Sequence, residues 1–537
     1  MSKFDKSATA TARGPQGPVR TTDQPTPTAE GGAGWSRDVK SELFLLSVTN
    51  MVGERTFYET GKERDSRFAT LVRQATAEDP DWTARLIRWL RAEANMRSAS
   101  VVAAGEYVKA GGPHGRAVVA SALQRADEPA EMLAYWTATY GRAVPKPVKR
   151  GVADAAVRLY NENAALKYDG LSRGFRMGDV IDLTHPSPSA PWQADLFRWL
   201  LDCRHNRPDP RLGESLQKIR AHMRLEGLTA GDRRTFILTG EFPEYGHVSV
   251  ADTLAEAGMT WESLSGWLQG PMDAAAWTAV IPSMGYMALL RNLRNFDQAG
   301  VSDSVAQTVA ARLADPEQVA KSRQFPLRFL SAFKAAPSLR WAWALEQAMQ
   351  HSLVNVPSLP GRTLVLVDLS GSMWSSLSDR SELQRWEAAA LFGFALGLRA
   401  QAADVYVYGT GRRRVDLPKA ASLLPTIKGL PNMGGTDTFG TLAASYTGHD
   451  RTVILTDEQA DTPGFSTAYG YGYGNTADPE TVLRGVRGPI YTFNLAGYKA
   501  AHLASGTDRI TVGGLTDAGF RLIDLLERQR GTADWPF

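Results

Sequence analysis

A chain of 537 residues exceeds what one hydrophobic core organises, so two to four domains are expected. Its 43% hydrophobic and 22% charged residues describe an ordinary globular protein, and the formal charge of +3 names no partner, so any basic site is local. The single cysteine, Cys203, rules out an intrachain disulfide and a multi-cysteine zinc site, which fits a reducing cytoplasm.

Residues 1–35 are rich in Thr, Pro, Gly and Ala, have no apolar signal core, and read as a disordered tail. No run of eighteen apolar residues follows anywhere, so no membrane span is expected. From Val39 to Val354 the chain reads mostly as helices. Residues 81–94, for example, place Trp82, Leu86, Ile87, Trp89 and Leu90 at helical spacing, which assigns them to a core. Helices of this length in series, punctuated by Gly111-Gly112-Pro113 and Pro145, suggest an all-α solenoid of the HEAT or armadillo kind over 36–356; an irregular bundle has the same periodicity.

The character changes at residues 357–361 (PSLPG). Residues 363–369, 403–408, 452–455, 490–493 and 510–512 are short apolar runs, with helices between them, notably over 383–398. That alternation predicts a doubly wound α/β domain over 361–537, with sites at the carboxyl ends of its strands.

One such end reads Asp368-Leu369-Ser370-Gly371-Ser372. The alternation sets three oxygen-bearing side chains in one tight loop. Gly434-Gly435-Thr436-Asp437 adds a hydroxyl, and Ile454-Leu455-Thr456-Asp457 is a second apolar strand ending in an acid. Carboxylates, hydroxyls and water suit a hard divalent cation, Mg²⁺ first and Mn²⁺ second. Earlier in the chain, residues 142–179 carry a local basic excess. Arg142, Lys146, Lys149, Arg150, Arg158, Lys167, Arg173 and Arg176 stand against Asp154, Glu162, Asp169 and Asp179. Such a patch suits phosphates, or is a solvated helix face. Arg291 and Arg294 have two readings, a binding surface or packing.

Asp368-x-Ser370-x-Ser372, Thr436 and Asp457 resemble the metal-ion-dependent adhesion site of the von Willebrand factor A fold. The resemblance implies direct ligation by Ser370 and Ser372, and ligation by Thr436 directly or through water. Asp368 and Asp457 would act largely through waters, and one open position would take a partner's acidic group. The helical half resembles the TROVE module of Ro proteins. The stretches that carry the likeness are 151–162 (GVADAAVRLYNE), 166–168 (LKY), 179–186 (DVIDLTHP), 287–293 (MALLRNL) and 325–330 (FPLRFL). The resemblance implies a HEAT-repeat ring closed by the A-type domain. Y RNA, a small non-coding RNA, would bind outside, and single-stranded 3′ ends of misfolded RNA in the cavity. The protein would act as an adaptor for RNA quality control or a 3′ exoribonuclease, as a monomeric ring in the cytoplasm. Lys167, Arg173 and His185 fall where the family carries RNA-contacting residues, with Lys146, Lys149, Arg150 and Arg176 as further candidates.

No phosphate-binding Gly-x-x-x-x-Gly-Lys-Ser/Thr loop and no His-Glu-x-x-His occur, and the serines beside Asp368 read as ligands, so a binder and not an enzyme is expected. The alternative is an A-type-domain subunit of a metal-chelatase or AAA+ chaperone machine. The Tyr/Gly stretch at 469–474 reads as a surface insertion.

Overall fold

The computed structural model describes residues 17–26, 34–49, 60–170, 174–243, 245–378, 381–419, 422–458, 479–497, 506, 508–515, 517–530, 532 and 534–537. The Tyr/Gly stretch at 469–474 and residues 1–16 lie outside these. Two compact units form. One is Val72–Asn355; the other joins Met1–Leu71 to Val356–Phe537. The division after Asn355 falls beside the composition change at 357–361. The earlier division falls inside the helix Gly61–Glu78, so residues 36–71, read above as helical-repeat sequence, belong with the C-terminal domain. No helix among the described residues is long and apolar enough to cross a membrane.

The unit Val72–Asn355 is helical apart from a two-stranded hairpin, and each helix packs on partners a few elements away, as in a solenoid. The helix Pro80–Ala92 shows why: Asp79 caps its start by accepting from Trp82 N at 3.0 Å, and Trp82, Leu86, Ile87 and Leu90 turn inward. Trp89, assigned to the same core, is half-buried. Buried charge is matched between neighbouring helices. The fully buried Glu128 accepts from Arg91 Nη2 at 2.8 Å and Arg97 Nε at 3.1 Å. Further on, Trp261 stacks on Trp277, which meets Phe296 edge-on, which in turn meets Trp341.

In the other unit, six strands form one sheet. They are β5 (Leu359–Asp368), β6 (Ala400–Tyr408), β7 (Arg412–Arg414), β8 (Arg451–Thr456), β9 (Ile490–Asn494) and β10 (Arg509–Gly513), numbered after β1 (Thr21–Pro25), β2 (Trp35–Arg37), β3 (Glu241–Phe242) and β4 (Gly246–His247). The order is β10-β9-β8-β5-β6-β7, parallel except for β7. Alternation along β5 puts Leu364 and Leu366 into a core with Phe439, Leu442 and Ile454. Val365 and Val367 face the helix Arg385–Arg399, where a Cβ on Gly393 would stand 2.7 Å from Val367 Cγ2, so only glycine lets the helix come this close. Helices thus cover both faces, which makes the sheet doubly wound.

Residues 21–25, inside the segment read as a disordered tail, form β1, which pairs with β2. The helix Val39–Thr49 then packs against β10 and the helix Asp517–Arg528. Arg37 Nη2 donates to Arg509 O at 2.8 Å, and the Phe44 and Trp535 rings meet edge-on at 5.2 Å.

Candidate functional site

The chain runs from β5 to β6 on one side, then returns to β8 on the other, so strand order reverses between β5 and β8. Loops diverge at such a reversal and leave a crevice at the carboxyl ends. The register brings Asp368 opposite Tyr408 and Thr456 opposite Asn494 at that edge. The sequence set Asp368 and Asp457 at strand ends; the reversal makes those ends neighbours.

Asp368 is fully buried and uses both oxygens: Oδ1 accepts from Ser370 N at 2.8 Å and Oδ2 from Thr456 Oγ1 at 2.6 Å. It therefore shapes the loop. Ser370 Oγ lies 3.3 Å from Ser372 Oγ, and Ser372 Oγ donates to Asp457 Oδ1 at 3.1 Å. The Gly434–Gly435 turn is pinned alongside, since Gly371 N donates to Gly434 O at 2.8 Å and Gly434 takes a φ of +82° that side chains resist. Thr436 follows two residues later and is half-buried. Of the five expected ligands, the structure joins Asp368, Ser370, Ser372 and Asp457 through bonds, and seats Thr436 on the adjoining loop.

Burial pushes the Asp368 carboxyl up to about 7, and the nearby Asp457 carboxylate adds to the rise, against the Thr456 and Ser370 hydrogen bonds. Two buried carboxylates among hydroxyls, with only oxygen donors, fit a hard divalent cation, whose charge would relieve their repulsion. Among the described residues no group of three or more His, Cys, Asp or Glu side chains is placed to hold a metal. An ion here would lean on hydroxyls and waters, which suits Mg²⁺.

Several supporting residues escaped the sequence reading. Arg385 Nη1 donates to Asp457 Oδ2 at 3.1 Å. Asn494 Nδ2 donates to the buried Glu458 at 2.9 Å, and Glu458 N donates to Thr456 Oγ1 at 3.0 Å. A run of apolar strand residues ending in a polar one flags Thr456 and Asn494; nothing in the spacing flags Arg385.

The basic candidates divide. Lys146, Lys149 and Arg150 sit on the first turns of the helix Lys146–Leu159, with Lys146 and Arg150 exposed and Lys149 half-buried. That first turn holds no acidic residue, so side-chain charge adds to the positive end of the helix dipole. Lys167 is exposed on the helix Glu162–Tyr168, its Nζ 5.4 Å from the Tyr168 ring centroid. His185 is exposed and ends the helix Met177–Thr184 in a left-handed conformation, φ 49°. Arg176 corrects the sequence reading. Its guanidinium is 14% exposed and paired with the buried Asp169 at 2.6 Å, so it holds the fold together and is not offered to a ligand. Arg158 likewise donates to the carbonyls of Ala120 and Leu123. Arg173 lies outside the described residues. Arg291 and Arg294 are exposed on the helix Tyr286–Gln298, whose Leu289, Leu290 and Leu293 are buried.

Residues 256–342 match the TROVE domain, and two of the five stretches singled out above, 287–293 and 325–330, fall inside that match. Among solved structures the chain is similar to the Ro (RSR) protein of Deinococcus radiodurans, at 19% identity and a TM-score of 0.68, over 92% of this chain and 100% of that one. The chain therefore carries a stretch that matches the TROVE domain and takes the fold of a bacterial Ro protein.

Proposed function

We propose that the helical unit binds RNA and that the α/β domain holds a divalent cation to recruit an acidic protein partner. The observation that carries the RNA reading is the TROVE match in a chain that takes a Ro fold over nearly its whole length. Supporting it is the helix start bearing Lys146, Lys149 and Arg150 with no acid in its first turn, an arrangement that costs stability and suits phosphate. The RNA is a Y-like small non-coding RNA on the outer surface, with single-stranded 3′ ends of misfolded RNA in the cavity that the family resemblance implies. The chain acts as an adaptor for RNA quality control or a 3′ exoribonuclease and does no chemistry itself. A cytoplasmic setting agrees with the lone Cys203, whose thiol burial pushes up to about 11, out of reactive range.

The test is direct. Crosslinking to the purified protein followed by sequencing should return structured small RNAs. In competition, a duplex with a single-stranded 3′ tail should outcompete a blunt duplex. Equal competition removes the 3′-end reading; no recovered RNA removes the whole of it.

A further inference from the structure

The helix Arg385–Arg399 starts against the candidate metal centre. Arg385 N donates to Ser375 O at 3.0 Å, tying the helix start to the loop that follows Ser372. The next residue, Trp386, stacks at 4.7 Å on Trp374, which ends the short helix Gly371–Trp374 that also carries Ser372. Those two ties fix where the Arg385 side chain starts. Its guanidinium, 14% exposed, reaches the fully buried Asp457, whose other oxygen takes the Ser372 hydroxyl. A cation in the first turn of a helix opposes the helix dipole, so Asp457 and not the helix accounts for its place. The hold is a single bond from Nη1, and Nε is buried with no acceptor among the described residues. An arginine held this way is displaceable.

We propose that Arg385 is a resident cation of the metal centre that competes with the divalent ion for Asp457 and keeps metal affinity low. The proposal rests on the metal reading above. An incoming ion meets a like charge already in place in a poorly solvated site, where such charges are felt strongly. In the ion-free protein the same arginine neutralises Asp457 and keeps the loops assembled.

The experiment uses the full chain, stripped with chelator and titrated with MgCl₂ or MnCl₂ at constant ionic strength, read by calorimetry and thermal melting. Arg385→Gln should lower the half-saturating ion concentration by about tenfold or more, and its stripped form should melt below wild type. Arg385→Lys keeps the charge and should stay near wild type in both. Arg385→Met, uncharged and of similar length, should behave as the Gln variant does and replaces it if that variant does not fold. Binding by the Gln or Met variant where wild type shows none also supports competition. Unchanged or weaker binding in the uncharged variants, with wild type binding, overturns it. If neither wild type nor the variants take up an ion, the metal reading itself falls and the proposal with it.

Discussion

In the helical unit, the buried carboxylate of Glu128 finds its arginines 31 and 37 residues away, on helices that are near neighbours along the chain. In the α/β unit, Asp457 draws on Ser372 and Arg385, 85 and 72 residues away, and Asp368 on Thr456, 88 residues away. The first arrangement is modular: Glu128 is matched by nearby helices, and Lys146, Arg150 and Lys167 face solvent one by one. The second exists only when the whole sheet is assembled. An RNA face built the first way should be additive, and a metal centre built the second way should be all-or-none.

The harshest test of modularity is Glu128→Ala. It strands Arg91, only 11% exposed, without its carboxylate. Breaking such a pair costs about 3–5 kcal/mol. Urea unfolding should show the helical unit weakened by that amount while a separate α/β transition stays in place; one shared transition would break the comparison.

The candidate metal centre comes next. Ion at a hundredfold its dissociation constant should stabilise the α/β unit by about 2.7 kcal/mol through mass action. Asp368→Ala should abolish the metal-dependent rise in melting temperature, because it removes the acceptor for both Ser370 N and Thr456 Oγ1. RNA affinity measured on the same variant should be unchanged, and a parallel loss would undo the separation of roles.

Smaller effects belong to the basic face. Lys146→Ala, Lys149→Ala and Lys167→Ala should each cost about 1 kcal/mol of RNA affinity and flatten the salt slope by roughly 0.7–0.9 per phosphate contact removed. Filter binding on the singles and the triple should show near-additivity. A triple variant no weaker than one single would show that the lysines do not form the face.

The smallest effect lies at the amino-terminal end of the sheet. Thr447 N donates to His449 Nδ1, so His449 Nε2 carries the proton and donates to Asp404 Oδ2 at 2.9 Å. Burial alone would raise the Asp404 carboxyl, but the bonds from His449 and Arg362 and the charge of Arg414 outweigh it and hold the pKa below the usual value. A depressed folded-state pKa gives stability that is present above the unfolded value of about 4 and lost as pH falls through the folded one. Asp404→Asn should therefore melt lower at neutral pH and show a shallower acid limb in melting temperature against pH; an identical acid limb would remove Asp404 from the account.

The same contrast explains what could be read in the chain. β5, β8 and β9 announce themselves as largely apolar runs ending in polar residues, because a strand covered on both faces offers few polar positions until it leaves the sheet. Asp368 ends one of these runs and Asp457 follows another, which is why the candidate ligand positions were legible. β1 was not: Thr-Thr-Asp-Gln-Pro has no apolar alternation, and its strand exists through pairing with β2. Arg385 was equally hidden, since only the assembled sheet brings it to Asp457. Arg176 shows the limit of counting charge, because composition does not separate a cation paired with Asp169 from one facing solvent. Residues 36–71 misled for a further reason: a helical period says nothing about which core a helix joins.

That membership of the N-terminal segment has a consequence for synthesis on the ribosome. Leu43, Phe44 and Leu46 are made early, yet they are buried in the unit completed by β10, the helix Asp517–Arg528 and Trp535. The entire helical unit is translated in between. A nascent chain therefore carries an uncovered apolar helix through most of its elongation, a standing target for chaperones. The α/β unit closes only after residues beyond 508 have emerged, so a ribosome stalled before that point holds a finished solenoid beside an unfinished sheet.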